Sequence, residues 1–136
     1  MARPGAFNLA NSKRVSSVSD KTLRQYVDVG HPNSFNTTAS YAVAQTNAPL
    51  VSAPSAGVSI HITDVIFSRA GAGSIKLVER TATPTDKLAP IELGASTPFG
   101  HSFSNPIILS AASNLGVTSV GTGNHSVTVH GYYAKP

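Results

Sequence analysis

Residues 66–80 read IFSRAGAGSIKLVER: an apolar run, a small glycine-rich break, and a second apolar run carrying Lys76. Two different folds depend on that break. If Gly71-Ala72-Gly73-Ser74 leads from a strand into a helix, its backbone amides form a phosphate cradle. If it joins two antiparallel strands, it is a turn in an all-β domain. The phosphate reading fails on spacing. A P-loop places its lysine directly after the last glycine of G-x-x-x-x-G-K-[ST] and follows it with a hydroxyl residue, whereas Lys76 lies beyond Ser74 and Ile75 and precedes Leu77. The dinucleotide fingerprint G-x-G-x-x-G fails because Lys76 stands where its third glycine belongs. A helix begun at Ser74 would last only about seven residues before Pro84 and the threonines ahead of it stop it. The stretch therefore predicts a tight β-hairpin in which Gly71 and Gly73 supply positive φ angles. Lys76, Val78 and Arg80 then share one face of the second strand, and Ile75, Leu77 and Glu79 the other.

The same texture extends to both sides. In TTASYAVAQ (37–45), Tyr41 and Val43 alternate with Ala42 and Ala44. Val58, Ile60 and Ile62 alternate with Ser59, His61 and Thr63, and the phase then shifts through Asp64 to Val65 and Phe67, which predicts a β-bulge or a strand buried on both sides. Ile91 with Leu93, and Ile107 to Leu109, mark further short runs. In 126–133, Val127, Val129 and Tyr133 alternate with Ser126, Thr128, His130 and Tyr132. Prolines 49, 54, 84, 90, 98 and 106 are expected to punctuate the intervals, since a central strand excludes proline. Short strands spaced by Gly, Pro, Asn and Ser clusters predict an all-β sandwich or barrel over residues 37–136.

Composition agrees. Charged residues make up 12% of the 136, about half the usual share, which does not suit a helical bundle. One domain's worth of chain is present. There are no cysteines, so no disulfide framework staples the fold. No signal-peptide pattern opens the sequence, and no segment reaches the roughly 20 apolar residues of a membrane helix. Five of the ten basic residues but only two of the six acidic ones fall within residues 1–36. That segment lacks strand alternation and carries at most one short helix, started by Ser19 or Asp20 and bearing Leu23, Tyr26 and Val27. It is expected to be an extended, basic N-terminal arm. A short amphipathic turn cannot bury its own apolar face, so the arm's contact candidates are Arg3, Lys13, Arg14, Lys21, Leu23, Arg24 and Tyr26.

Catalytic patterns are sparse. The five histidines form no H-x-x-x-H pair, and a zinc site has no cysteine to draw on. His61 and His130 occupy polar strand positions that a sheet can bring together. No G-x-S-x-G elbow is present, although composition alone leaves a Ser-His-Asp arrangement open. The six carboxylates are scattered, without the density of a calcium loop or the pairing of a glycosidase. No enzyme, metal site or cofactor is expected. The missing Trp, and the lack of aromatics interleaved with the basic residues, argue against single-stranded nucleic acid.

The order of features from Thr37 to Lys135 resembles tailed-phage virion proteins with small jelly-roll domains, of the capsid decoration (cement) and head-fibre kind. The resemblance rests on TTASYAVAQ, APSAGVSIHITDVIFS, the Gly-Ala break, IKLVER, PIELGAS, FSNPIILSAASNLGVTSV and the closing SVTVHGYYA. It implies a jelly-roll-like antiparallel β-sandwich, assembly into a homotrimer, the major capsid protein as partner, and a place on the capsid surface of a virion assembled in the host cytoplasm. It supplies no catalytic residue. The alternative it leaves open is a receptor- or carbohydrate-binding fibre or lectin-like module, with Tyr132, Tyr133 and His130 as candidate contacts.

Overall fold

The structure, a computed structural model, describes residues 33–136, and those residues contain eight strands and no helix. They are β1 (Ser34–Tyr41), β2 (Ala48–Val51), β3 (Ser59–Arg69), β4 (Gly73–Arg80), β5 (Thr85–Leu93), β6 (Thr97–Ile108), β7 (Asn114–Gly121) and β8 (His125–Ala134). The short helix expected near Leu23 falls outside the described residues.

The strands pair antiparallel as β1–β8, β2–β7, β3–β6 and β4–β5, which is one long hairpin with its tip between β4 and β5. Rolled up, it gives two four-stranded sheets, β1-β8-β3-β6 and β2-β7-β4-β5, through the further pairings β3–β8 and β4–β7. That winding is the jelly roll, and the expected fold class stands.

The inner faces of the two sheets make one core. Ile60, Ile62, Val65 and Phe67 of β3 meet Ile75 and Leu77 of β4, with Leu115, Val117, Val127 and Val129 beside them, all fully buried. Each such side chain stabilises the fold by about 1.5–3 kcal/mol relative to exposure. The phase shift at Asp64 is a bulge. The register of β3 slips between Ile62 and Asp64 against both β6 and β8, which returns Val65 and Phe67 to the inner face beside Ile60 and Ile62.

Three local expectations are corrected. First, β1 runs from Ser34 rather than Thr37 and stops at Tyr41, so Val43 is 66% exposed in the connection that carries the chain to the other sheet. Second, Pro49, Pro90, Pro98 and Pro106 lie inside β2, β5 and β6 instead of between strands. All three are edge strands, where one row of backbone groups has no neighbour and a missing N–H costs little.

The third correction concerns the glycine-rich break. β3 and β4 belong to different sheets, so Ala70–Ala72 turns a corner between layers and closes no hairpin. Gly71 does not adopt a positive φ. Its requirement is room: a Cβ on Gly71 would strike the Thr122 carbonyl, and one on Gly73 would strike the Val120 carbonyl and press on the Arg69 guanidinium. Arg69 is 3% exposed. It donates through Nε to the Gly71 carbonyl (2.9 Å) and through its terminal nitrogens to those of Thr122 (3.2 Å) and, more weakly, Ser74 (3.5 Å). The break is a socket for a buried arginine that ties the β3–β4 corner to the β7–β8 turn.

The two faces of β4 fall as predicted, and the prediction puts a carboxylate indoors. Glu79, on the side of Ile75 and Leu77, is 3% exposed. Its carboxylate meets the Lys87 ammonium at 3.0 Å and accepts the Ser110 N–H at 2.7 Å, joining β4 to β5 and to the turn after β6.

Candidate interaction surface

The two sheets present unlike outer faces. On the β2-β7-β4-β5 sheet, the register brings Lys76, Arg80, Asp86 and Glu92 to the outside, with Lys76 and Asp86 paired at 2.8 Å. This face is charged and partly covered: Val78, between Lys76 and Arg80, is 1% exposed, and Arg80 donates to the Asn47 carbonyl at 2.9 Å. On the β1-β8-β3-β6 sheet, the outward positions carry no lysine, arginine or glutamate at all. Their rows read Ser40–Ser126–Ser68–Pro98, Thr38–Thr128–Ile66–Gly100, Asn36–His130–Asp64–Ser102 and Ser34–Tyr132–His61–Ile108.

The strand alternation dictates this. Ser34, Asn36, Thr38 and Ser40 of β1, Ser68 of β3, and Ser126 and Thr128 of β8 all point to one side, and that side is rich in hydroxyls. The hydroxyls satisfy one another: Ser68 and Ser126 are 2.7 Å apart, and Thr38 and Thr128 2.9 Å. The single carboxylate, Asp64, accepts the hydroxyls of Ser102 and of Thr63 (2.8 Å), and the His130 imidazole lies 3.9 Å away. The hydrogen bond from Ser102 comes first in holding the Asp64 carboxyl below its usual range; Thr63 and His130 add to it and partial burial opposes.

At the centre stands Ile66, 55% exposed, beside the missing side chain of Gly100. A depression of about 430 Å³ surrounds it, and one of about 690 Å³ lies at the end of the sheet over Ser40, Ser68, Ser126 and Pro98, walled by Ser96 and Asn124. A face without long charged chains, with several of its hydroxyls already paired, loses less when water leaves it than a charged one does.

Several sequence candidates are placed by this geometry. His61 and His130 share the outer face but do not pair with each other. His61 stacks on Tyr132 at 4.9 Å, and His130 faces Asp64. Tyr133 is half-buried and packs against the core beside Phe35, with ring centres 5.1 Å apart. Arg3, Lys13, Arg14, Lys21, Leu23, Arg24 and Tyr26 lie outside the described residues. Among the described residues no group of three or more His, Asp or Glu is placed to hold a metal ion.

The structure brings together one pair that sequence reading missed. Ser119 Oγ lies 2.8 Å from His125 Nε2, and the other ring nitrogen lies 3.2 Å from the Gly123 carbonyl. With Nδ1–H donating to Gly123, Nε2 accepts the Ser119 hydroxyl, which resembles a nucleophile and its base. The surroundings give the pair a different role. Ser119 and His125 are 3% and 4% exposed, and the Ser119 oxygen also accepts the Gln45 N–H at 2.9 Å. The hydroxyl is spent on tying the β1–β2 connection to β7 and β8. A serine six residues before a histidine across a β-turn carries no signature by which sequence alone finds it.

No protein-family model matches the chain, and no curated protein matches it. Among solved structures, the globular domain of zebrafish complement 1qA protein superposes with a TM-score of 0.47 at 12% identity, covering 78% of this chain and 100% of that one. The tobacco streak virus coat protein gives a TM-score of 0.34 at 8% identity, over 76% of this chain and 88% of the other.

Proposed function

We propose that this chain is a non-enzymatic virion structural protein of the decoration, or cement, kind, which binds the outer surface of a capsid as a closed oligomer and stabilises the shell. The observation that carries the reading is the contrast between the sheets: one outer face bears lysine, arginine, aspartate and glutamate, and the other is hydroxyl-lined and free of long charged side chains. A protein that works by covering surface needs a face cheap to desolvate, and many weak contacts repeated by symmetry. The resemblance in the strand order supports the capsid as partner and a trimer as the oligomer. In this reading the hydroxyl-lined face meets the major capsid protein or a neighbouring subunit, and the basic arm, through Lys13, Arg14 and Arg24, adds a tether.

The test is binding of the full-length protein to purified capsids that lack it. Ile66→Lys sets an ammonium in the middle of the hydroxyl-lined face and is expected to abolish binding. Val120→Lys, at a position 63% exposed on the other sheet, is expected to leave it intact. Equal binding by the two variants refutes the assignment of the face. Exchanging Lys13, Arg14 and Arg24 for glutamate tests the tether in the same assay. Absence of the protein from purified particles removes the virion role itself.

The second reading, a receptor- or carbohydrate-binding module, draws on the depression of about 690 Å³, whose size suits a small ligand and whose lining joins hydroxyls and the Asn124 amide to Tyr41, Arg69 and His125. Its test is a glycan array with the full-length protein. Binding that Ser68→Leu removes supports it, and an array with no binder refutes it.

A further inference from the structure

Four strands lie at sheet edges: β1, β2, β5 and β6. An exposed edge offers unpaired N–H and C=O groups to any passing strand, and proteins blunt such edges with proline, charge, bulges or short length. Three of the four are blunted here. β2 has only four residues, one of them Pro49, and its register to β7 slips. β5 carries Asp86, Lys87 and Pro90 and slips twice against β4. β6 carries Pro98 and Pro106 and slips against β3.

β1 has none of these devices. Its sequence, SFNTTASY, contains no proline and no charge, and its register to β8 runs without a slip from Ser34↔Tyr132 to Tyr41↔His125. Among the described residues β8 is its only paired neighbour. Its burial alternates strictly, as in a flat, regular strand. An edge left open beside three that are closed marks a strand that pairs.

We propose that β1 pairs antiparallel with β1 of a second copy of this chain, about a two-fold axis through Thr38, so that two β1-β8-β3-β6 sheets join into one continuous sheet. The partner follows from self-complementarity. Facing residues in an antiparallel pair share a sheet face, so a two-fold must pass through a residue and not between two. With Thr38 opposite itself, Asn36 faces Ser40 on the outside, while Phe35 faces Tyr41 and Thr37 faces Ala39 on the inside. Hydroxyl and amide pairs meet outside, an aromatic pair meets inside, and no like charges oppose. A two-fold through Thr37 would waste Phe35 on Ala39. The contact is isologous. It goes beyond the capsid-binding reading: joined to a trimer made through another contact, it doubles the trimer to six copies, so the copy number is even.

The chain has no native cysteine, which makes the test clean. Thr38→Cys in the full-length protein is expected to form a disulfide-linked dimer on mild oxidation, because facing Cα atoms in such a pair lie about 4.5–5.5 Å apart, within disulfide reach. Val120→Cys, exposed on the other sheet, is expected to stay monomeric on a non-reducing gel. Thr38→Lys sets ammonium against ammonium at the axis and is expected to halve the mass read by light scattering, with the far-ultraviolet circular dichroism unchanged. A native monomer or trimer, with Thr38→Cys no more readily linked than Val120→Cys, overturns the pairing. So does protection of β1 by residues 1–32 of its own chain, read as unchanged mass in Thr38→Lys. Neither outcome touches capsid binding, which the Ile66→Lys experiment decides separately.

Discussion

Glu79→Gln isolates one buried charge. The amide keeps the shape of the carboxylate and an oxygen for the Ser110 N–H and turns its NH2 toward Lys87, so the variant removes the charge and the acceptor that Lys87 uses. At the observed 3.0 Å and an effective dielectric near 20, the attraction between Glu79 and Lys87 is about 5 kcal/mol before desolvation. Burying the carboxylate offsets most of that. Lys87 keeps 23% of its side chain in water and the Ile108 carbonyl at 3.4 Å, so it is not stranded when its partner goes. The Ser110 bond falls from a charged to a neutral acceptor, a loss of about 1 kcal/mol. Together these put the cost at about 2 kcal/mol, or about 10 °C in Tm for a domain of this size. Acid supplies the control. Burial alone pushes the Glu79 carboxyl up, but Lys87 and the hydrogen bonds from Ser110 outweigh it and hold the group below its usual range. A carboxyl held low when folded adds stability above its unfolded pKa of about 4.3 and loses it as pH falls through the lower folded value. The gap between native protein and variant is therefore widest near neutrality and closes in acid. Urea unfolding at one fixed protein concentration, at about pH 7 and about pH 3, measures both ends. A gap of equal size at the two pH values refutes the argument, because the variant would then be losing shape and not charge.

Two further outcomes follow from the packing. Gly71→Ala, which drives a Cβ into the Thr122 carbonyl, is expected to cost more than 2 kcal/mol, whereas Gly57→Ala, at φ +79° with open space around it, costs about 1 kcal/mol of backbone strain. Equal melting temperatures for the two refute the socket described for Arg69. Ser119→Ala leaves the Gln45 N–H and a His125 nitrogen unpaired in a buried site and is expected to lose about 1–3 kcal/mol in urea unfolding. A serine-directed fluorophosphonate is expected to leave the native protein unlabelled, and labelling at Ser119 overturns the structural role assigned to it.

What the sequence made legible is what a two-residue period encodes. Val127, Val129 and Tyr133 face inward as their alternation requires, and the slip at Asp64 announced the bulge that keeps Val65 and Phe67 in the core. β7 escaped notice because Asn114–Gly121 holds two glycines and buries Leu115, Gly116 and Val117 in succession, so no alternation marks it. β2 escaped because four residues around a proline look like a loop. The prolines of β5 and β6 misled for a related reason: the rule that bars proline from strands applies to strands with neighbours on both sides, and edge status is set by the roll, which one sequence does not display.

The interaction face was hidden differently. Each of Thr38, Ser68, Ser102, Ser126 and Thr128 is unremarkable alone, and any of them fits a solvated strand. Only the pairing of β1 with β8, β8 with β3 and β3 with β6 gathers them on one side, and only the comparison with Lys76, Arg80, Asp86 and Glu92 on the opposite sheet shows that the long charged side chains are confined to one side. The break that opened the sequence follows the same logic. Its glycines are spent neither on phosphate nor on a hairpin but on letting the carbonyls of Val120 and Thr122 approach a buried arginine, more than fifty residues of chain away from them. Local pattern determines what each strand is; what its outward residues are for depends on which strands the roll places beside it.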